Sequence, residues 1–268
     1  MSLFDFFKKK KDANKDIPQN DPALLSAKLF FAGEPFLDDN RINAQLKRHF
    51  TKIKFADEDG PKPNSRHYFF EDYEVKIGGK NIPAQGVIFM PDKEGVDLQQ
   101  LETSFTQNYN WEGGVEIVRS CNYEIILSEL MTRTMDYKDR VACFQKFVAS
   151  IIFALQPNAV WLSLSDRIMD PSHFMQYYLK NDCKNLSSLL NVRLFNLDDG
   201  SNDTIMDTLG LHGLGLHDLE IRFGTDYNPP DMASLLFNYG NYIFENGNVF
   251  KHGSTCLLYT SPSPRDRG

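Results

Sequence analysis

A chain of 268 residues, 41% hydrophobic and 24% charged, is suited to a folded protein with one large domain or two small ones. Its 36 acidic residues outnumber 29 Lys and Arg, for a formal charge of −7. That balance disfavours general nucleic-acid binding, which needs a basic face to neutralise phosphates. Of its 4 cysteines, Cys121, Cys143 and Cys183 remain once Cys256 near the chain end is set aside, an odd number without C-x-x-C spacing, which argues against a disulfide framework or zinc site and for a reduced, cytoplasmic setting.

The N-terminal stretch combines Leu3, Phe4, Phe6 and Phe7 with Lys8, Lys9, Lys10 and Lys11. Such a pattern suits weak contact with an anionic membrane surface, each Lys contributing roughly 1 kcal/mol. The apolar part is too short for a signal peptide and its charges follow it, while Ser2 stands where myristoylation needs glycine. The favoured expectation is a flexible leader over 1–26, with peripheral attachment to the inner membrane as the second. The globular region then spans 27–255, either whole or as subdomains 27–117 and 118–255.

Lys28 to Ala32 reads as a strand, and Asp38 or Asp39 as the cap of a helix carrying Ile42, Leu46 and Phe50. Ile53 to Phe55 starts a return strand, and 57–66 is a loop. Tyr68 to Lys76 and Gly86 to Met90 are strands joined through Gly78-Gly79. Leu98, Leu101 and Phe105 predict a helix before a break at Gly113-Gly114. Tyr123 to Leu130 is a strand, Asp136 caps a helix with an apolar stripe from Val141 to Leu155, and Gln156-Pro157 stops it. Ala159 to Leu164 is an interior strand. Asp170-Pro171 opens a helix with Phe174, Tyr177 and Tyr178, and Leu189 to Leu197 returns as a strand.

Asp203 to Phe223 reads as strand, glycine-rich turn, strand. Leu219, Ile221 and Phe223 alternate with Glu220 and Arg222, as in a strand with one wet face. Gly210, Gly213 and Gly215 supply positive φ angles or a bulge. A phosphate loop needs G-x-G-x-x-G opening a helix, and here the order is G-x-x-G-x-G before a strand. Pro229 and Pro230 then begin a helix with Met232, Leu235, Leu236, Tyr239, Tyr242 and Ile243 along one face, ended by Asn246-Gly247. The whole alternation predicts an α+β fold, mixed or antiparallel sheets covered by helices, with two ferredoxin-like halves as one arrangement.

Thr208, Gly210, Leu211, Gly215 and Glu220, then Leu235-Leu236, Asn238, Tyr242, Glu245-Asn246-Gly247 and Gly253-Ser254-Thr255, resemble the C-terminal signature of the bacterial domain-of-unknown-function family DUF4261. The signature covers about 203–255, with weaker similarity back to about Lys28. The resemblance brings no activity, catalytic residue or cofactor. It marks Gly210, His212, Gly215, His217, Glu220, Asn238 and Asn246 as a candidate surface. Beyond Thr255, Cys256 to Asp266 (CLLYTSPSPRD) resembles the translated adapter of transposase-based sequencing libraries, so 256–268 is expected to be a non-native tail.

His212 and His217 flank the glycine turn and His252 lies further on, but neither H-E-x-x-H nor a paired-cysteine motif accompanies them. Asp198 to Asp203 lacks the EF-hand order and reads as a solvated turn, and Ser163, Ser165 and Asp166 lack a G-x-S-x-G elbow. No catalytic, metal or cofactor site is therefore assigned. The favoured function is a non-catalytic cytoplasmic protein-interaction module, for example one neutralising a toxin or serving a secretion or envelope apparatus. The alternative is a metal-dependent hydrolase using His212, His217 and nearby carboxylates.

Overall fold

The computed structural model describes residues 22–56, 64–92, 94–197, 200 and 202–249. The membrane-contact pattern from Leu3 to Lys11, most of the 57–66 loop, much of the Asp198 to Asp203 turn, His252 and the 256–268 tail lie outside these residues. The chain enters β1 (Ser26–Phe31), passes through α1 (Asp39–His49) to β2 (Ile53–Phe55), and runs the long hairpin β3 (Ser65–Ile77) and β4 (Lys80–Phe89). Short helices α2 (Glu102–Thr106) and α3 (Gly114–Arg119) lead to β5 (Tyr123–Leu130) and the long α4 (Tyr137–Leu155). Next come β6 (Ala159–Leu162), β7 (Arg167–Met169) and α5 (Pro171–Tyr177). A second sheet holds β8 (Asn191–Asn196), β9 (Thr204–Leu209) and β10 (Glu220–Phe223), and α6 (Pro229–Asn246) follows.

The architecture is α+β. Strands β2-β3-β4-β5-β1-β6-β7 form one antiparallel sheet and β10-β9-β8 another. The larger sheet draws strands from both 27–117 and 118–255. Its central strand shows why both faces are covered. Leu29 and Phe31 point into the main core with Val141, Val148 and Ile151 of α4, whereas Phe30 joins Leu101, Phe105, Val118 and Trp161 on the opposite face. Alternating side chains of one strand thus anchor two clusters. Lys28, on the second face, is 9% exposed and its Nζ sits 3.1 Å from Glu124 and 2.8 Å from Gln100 Oε1.

Local caps match the chemistry of the sequence. Asp38 accepts from the amides of Asn40 and Arg41, Asp136 from Lys138 and Asp139, and Asp170 from Ser172, each satisfying orphan donors at a helix start. Two local expectations change. The Gly113-Gly114 break is the start of α3: Gly113 has φ +73°, and the Trp111 ring packs so closely on Gly114 that a Cβ there would overlap it. The strand expected to reach Leu164 stops at Leu162, because Asp166, with φ +44°, turns the chain back into β7.

A buried ion pair joins the layers. Arg140 of α4 and Glu129 of β5 are 1% and 4% exposed, and the guanidinium meets both carboxylate oxygens, with Nε at 2.9 and 3.1 Å. Arg140 Nη1 also donates to the Gly213 carbonyl at 3.0 Å and Nη2 to Ala23 O, while Glu129 Oε1 accepts from the Leu25 amide at 2.9 Å. One guanidinium therefore ties the glycine turn between β9 and β10 to the approach of β1. Such a pair is held by its extra hydrogen bonds, since burying bare charges is costly.

Candidate functional site

The glycine turn is built around a residue the sequence does not advertise. Asp218 accepts from Thr208 Oγ1 at 2.9 Å, from the amides of Leu211 and His212 at 3.1 Å each, and from His212 Nδ1 at 2.8 Å. Leu219 N donates to Thr208 Oγ1 at 2.8 Å, so the carboxylate and the threonine hydroxyl together close the loop. A carboxylate accepting several donors in a turn is a strong local organiser. The Asp218 hydrogen bond raises the His212 pKa above its ordinary value, while burial works against it.

Gly210 and Gly215 take positive φ angles of +142° and +79°. A Cβ at Gly210 would overlap the Leu189 carbonyl oxygen, so the backbones approach there as only glycine permits. Gly213 has no positive φ among these three; it makes room for Leu164 and Ala23 instead. His217 donates its amide to Asn248 Oδ1 at 2.9 Å, and Asn248 Nδ2 donates to Gly215 O at 3.0 Å. The His217 Nε2 is buried without a hydrogen-bond partner among the described residues. Gly210, His212, Gly215 and His217 thus gather in one loop. Glu220 stands exposed on β10 opposite Asp207, and Asn246 donates to the Tyr242 carbonyl at 2.9 Å at the end of α6.

Of the seven candidate residues, Asn238 alone lines a cleft of about 880 Å³ between the β7–α5 edge of the large sheet and the smaller sheet with α6. Tyr109, Arg167, His173, Tyr177, Lys180 and Phe237 line it, over an apolar floor that includes Met169, Leu190 and Met206. Among the described residues, no Asp or Glu side chain contributes to the lining. The Asp170 carboxylate, close by in sequence, is turned onto the Ser172 amide at 2.6 Å as the cap of α5. Lys180 holds its ammonium 4.0 Å from the centroid of the Tyr177 ring. Arg167 is half-buried, donates Nη1 to the Ser187 carbonyl at 3.2 Å, and has its pKa lowered by burial.

The cleft has no sequence motif, because its residues come from five separate segments and meet only in the fold. The faint signal is Pro229-Pro230: both line the cleft, and a proline at the first helical position sets where α6 begins.

Other polar clusters have structural roles. Ser163 Oγ donates to Ser26 O at 2.9 Å, Ser165 Oγ to Ser188 O at 3.1 Å, and Asp166 accepts from Trp161 Nε1 at 2.9 Å and from Ser104. Cys121, Cys143 and Cys183 are buried free thiols, and burial pushes the pKa of each upward, away from the reactive thiolate. Among the described residues, no group of three or more His, Cys, Asp or Glu side chains is placed to hold a metal ion. None of their helices is long and apolar enough to cross a membrane.

No curated protein and no solved structure matches the chain. A family model described as "Domain of unknown function (DUF4261)" matches residues 207–260. The match starts inside β9, covers the Asp218-closed turn, β10 and α6, and continues past Thr255, where the resemblance was expected to end. It does not reach the weaker similarity from Lys28. The segment that contains the glycine turn and its covering helix therefore carries the C-terminal signature of the DUF4261 family.

Proposed function

We propose that the protein is a non-catalytic, cytoplasmic protein-interaction module whose contact surface is the cleft between α5 and α6. The observation that carries this is the composition of the cleft. In a chain with 36 acidic residues, its lining combines Arg167, His173 and Lys180 with three aromatic rings and, among the described residues, no carboxylate. Aromatic side chains and arginine are the groups that contribute most at protein interfaces. Tyr109, which lines the cleft, is 61% exposed, leaving aromatic surface for a partner.

The test is photocrosslinking from the cleft in living cells. A photoreactive residue in place of Ser234 or Asn238 should yield a discrete adduct with one partner protein, identified by mass spectrometry and confirmed by reciprocal purification. The same substitution at exposed Lys54 on β2 should not. Absence of a cleft-specific adduct counts against the reading.

A further inference from the structure

Arg167 separates itself from the other inward-turned arginines. Among the described residues, four arginines have side chains that are not exposed: Arg66, Arg140, Arg167 and Arg193. Arg66 pairs with Asp39, Arg140 with Glu129 and Arg193 with Asp207. Arg167 has no carboxylate partner among those residues, and its one hydrogen bond goes to the Ser187 carbonyl. A partly desolvated guanidinium carries five donors in a planar fork, and leaving them without an anion is unfavourable. Arg167 lines a cleft whose other basic lining groups are Lys180 and His173.

We propose that the cleft is an anion-binding groove, and that its occupant is a segment of a partner protein carrying an aspartate or glutamate beside an aromatic or aliphatic anchor, with Arg167 receiving the carboxylate. This rests on the reading of the cleft as the contact surface. The anchor has a place: Met169, Leu190 and Met206 floor the cleft, and Tyr177 and Phe237 wall it. The carboxylate has a planar, bidentate receptor in Arg167 and a second cation in Lys180, which the Tyr177 ring holds in position. The exposed Tyr109 extends the lining beyond what a small anion covers. A nucleic-acid chain fits less well, because three basic side chains in a protein of charge −7 offer too few phosphate contacts against long-range repulsion.

The experiment uses the full chain as bait for a displayed library of random peptides, followed by fluorescence anisotropy with the selected peptides. Selected sequences should place Asp or Glu near Trp, Phe or Leu. Arg167→Gln should weaken their binding about 10-fold or more, and Lys180→Gln should weaken it several-fold, as expected for a half-buried and an exposed charge. Lys180 is exposed, so its variant remains informative if Arg167→Gln disturbs folding, which circular dichroism would reveal. Peptides whose Asp or Glu can be changed to Asn or Gln without loss, or that bind Arg167→Gln and Lys180→Gln as well as wild type, overturn the anion groove. Inorganic phosphate displacing the peptides at low millimolar concentration overturns the peptide assignment in favour of a small-oxyanion site. A cleft-specific photocrosslinked partner that is indifferent to both variants sinks this inference and leaves the interaction module standing. No cleft-specific adduct from the otherwise wild-type chain sinks the module, whereas an adduct lost only in the Arg167 and Lys180 variants supports the groove.

Discussion

The side-chain amide of Gln107 pairs with both backbone groups of Leu194. Its Nε2 donates to the Leu194 carbonyl at 3.1 Å, and its Oε1 accepts from the Leu194 amide at 2.9 Å. Leu194 lies in β8, an edge strand of the smaller sheet, and Gln107 follows α2 on the larger one. The side chain imitates one residue of a neighbouring strand and blocks the open edge where another chain would add. Gln107→Ala should cost about 1–3 kcal/mol, because it leaves two backbone groups unpaired in a site where Gln107 is 8% exposed. Urea unfolding checks the cost. Light scattering at rising concentration checks the second outcome, more self-association than wild type.

Removing one member of the Arg140–Glu129 pair should be worse than removing both. Arg140→Met strands a buried carboxylate and also removes the guanidinium's bonds to the carbonyls of Gly213, which keeps the Ala23 amide, and Ala23, so a loss of about 3–5 kcal/mol is expected. The double variant Arg140→Met, Glu129→Leu should recover part of that loss by eliminating the lone charge. A double-mutant cycle in urea measures the coupling. Additive costs would mean that the pair acts only through packing.

His212 gives a signed pH effect. Its pKa is raised, chiefly by the hydrogen bond with Asp218, so folding favours the protonated ring. The stabilisation is fully present below the ordinary histidine value of 6.5 and fades as pH rises through the raised folded value. Arg193 opposes protonation at the same site. His49 acts in the other direction: burial, then Lys146 and Arg48, lower its pKa, so its contribution is present above 6.5 and fades as pH falls. The wild-type profile therefore mixes both. The difference between wild type and His212→Gln isolates the first, and it should shrink from pH 6 to pH 8 in thermal melts.

Gly210→Ala should destabilise by at least about 2 kcal/mol, because φ is +142° and the new methyl would overlap the Leu189 carbonyl. Gly33→Ala is the comparison. Nothing lies within 4 Å of its Cβ position and its φ is not positive, so a change within about 0.5 kcal/mol is expected. Equal effects at both sites would remove close packing as the reason for glycine at Gly210.

What the sequence makes legible is what short stretches decide. Asp38, Asp136 and Asp170 mark helix starts, and Gly78-Gly79 marks the β3–β4 turn, because caps and turns are settled by a few neighbouring residues. The inward face of α6 is less legible. Periodicity points to Tyr239 and Tyr242, which are half-buried, whereas Gly240 and Phe244 are buried. The reason is non-local: a Cβ on Gly240 would stand 2.6 Å from Leu190 Cδ2, so the helix and the residue leading into β8 approach at the glycine. Asp218 offers a weak clue, a short acidic side chain at the end of a glycine turn, but the two flanking histidines are the more conspicuous residues. Arg167 offers none, since having no carboxylate partner among the described residues depends on which elements surround it.

The hydrogen bond from Arg140 to Gly213 has a consequence for how the gene can be cut and rejoined. The 207–260 pattern begins after β9 has started, its pairing strand β8 lies wholly upstream, and the turn inside it is held from α4. A recombination joint at the start of that pattern would hand a recipient chain a helix and part of a sheet, without the strand and the guanidinium that complete them. The pattern is a recognisable signature but not a transplantable module; a functional exchange would have to carry the strand, the helix and the arginine with it.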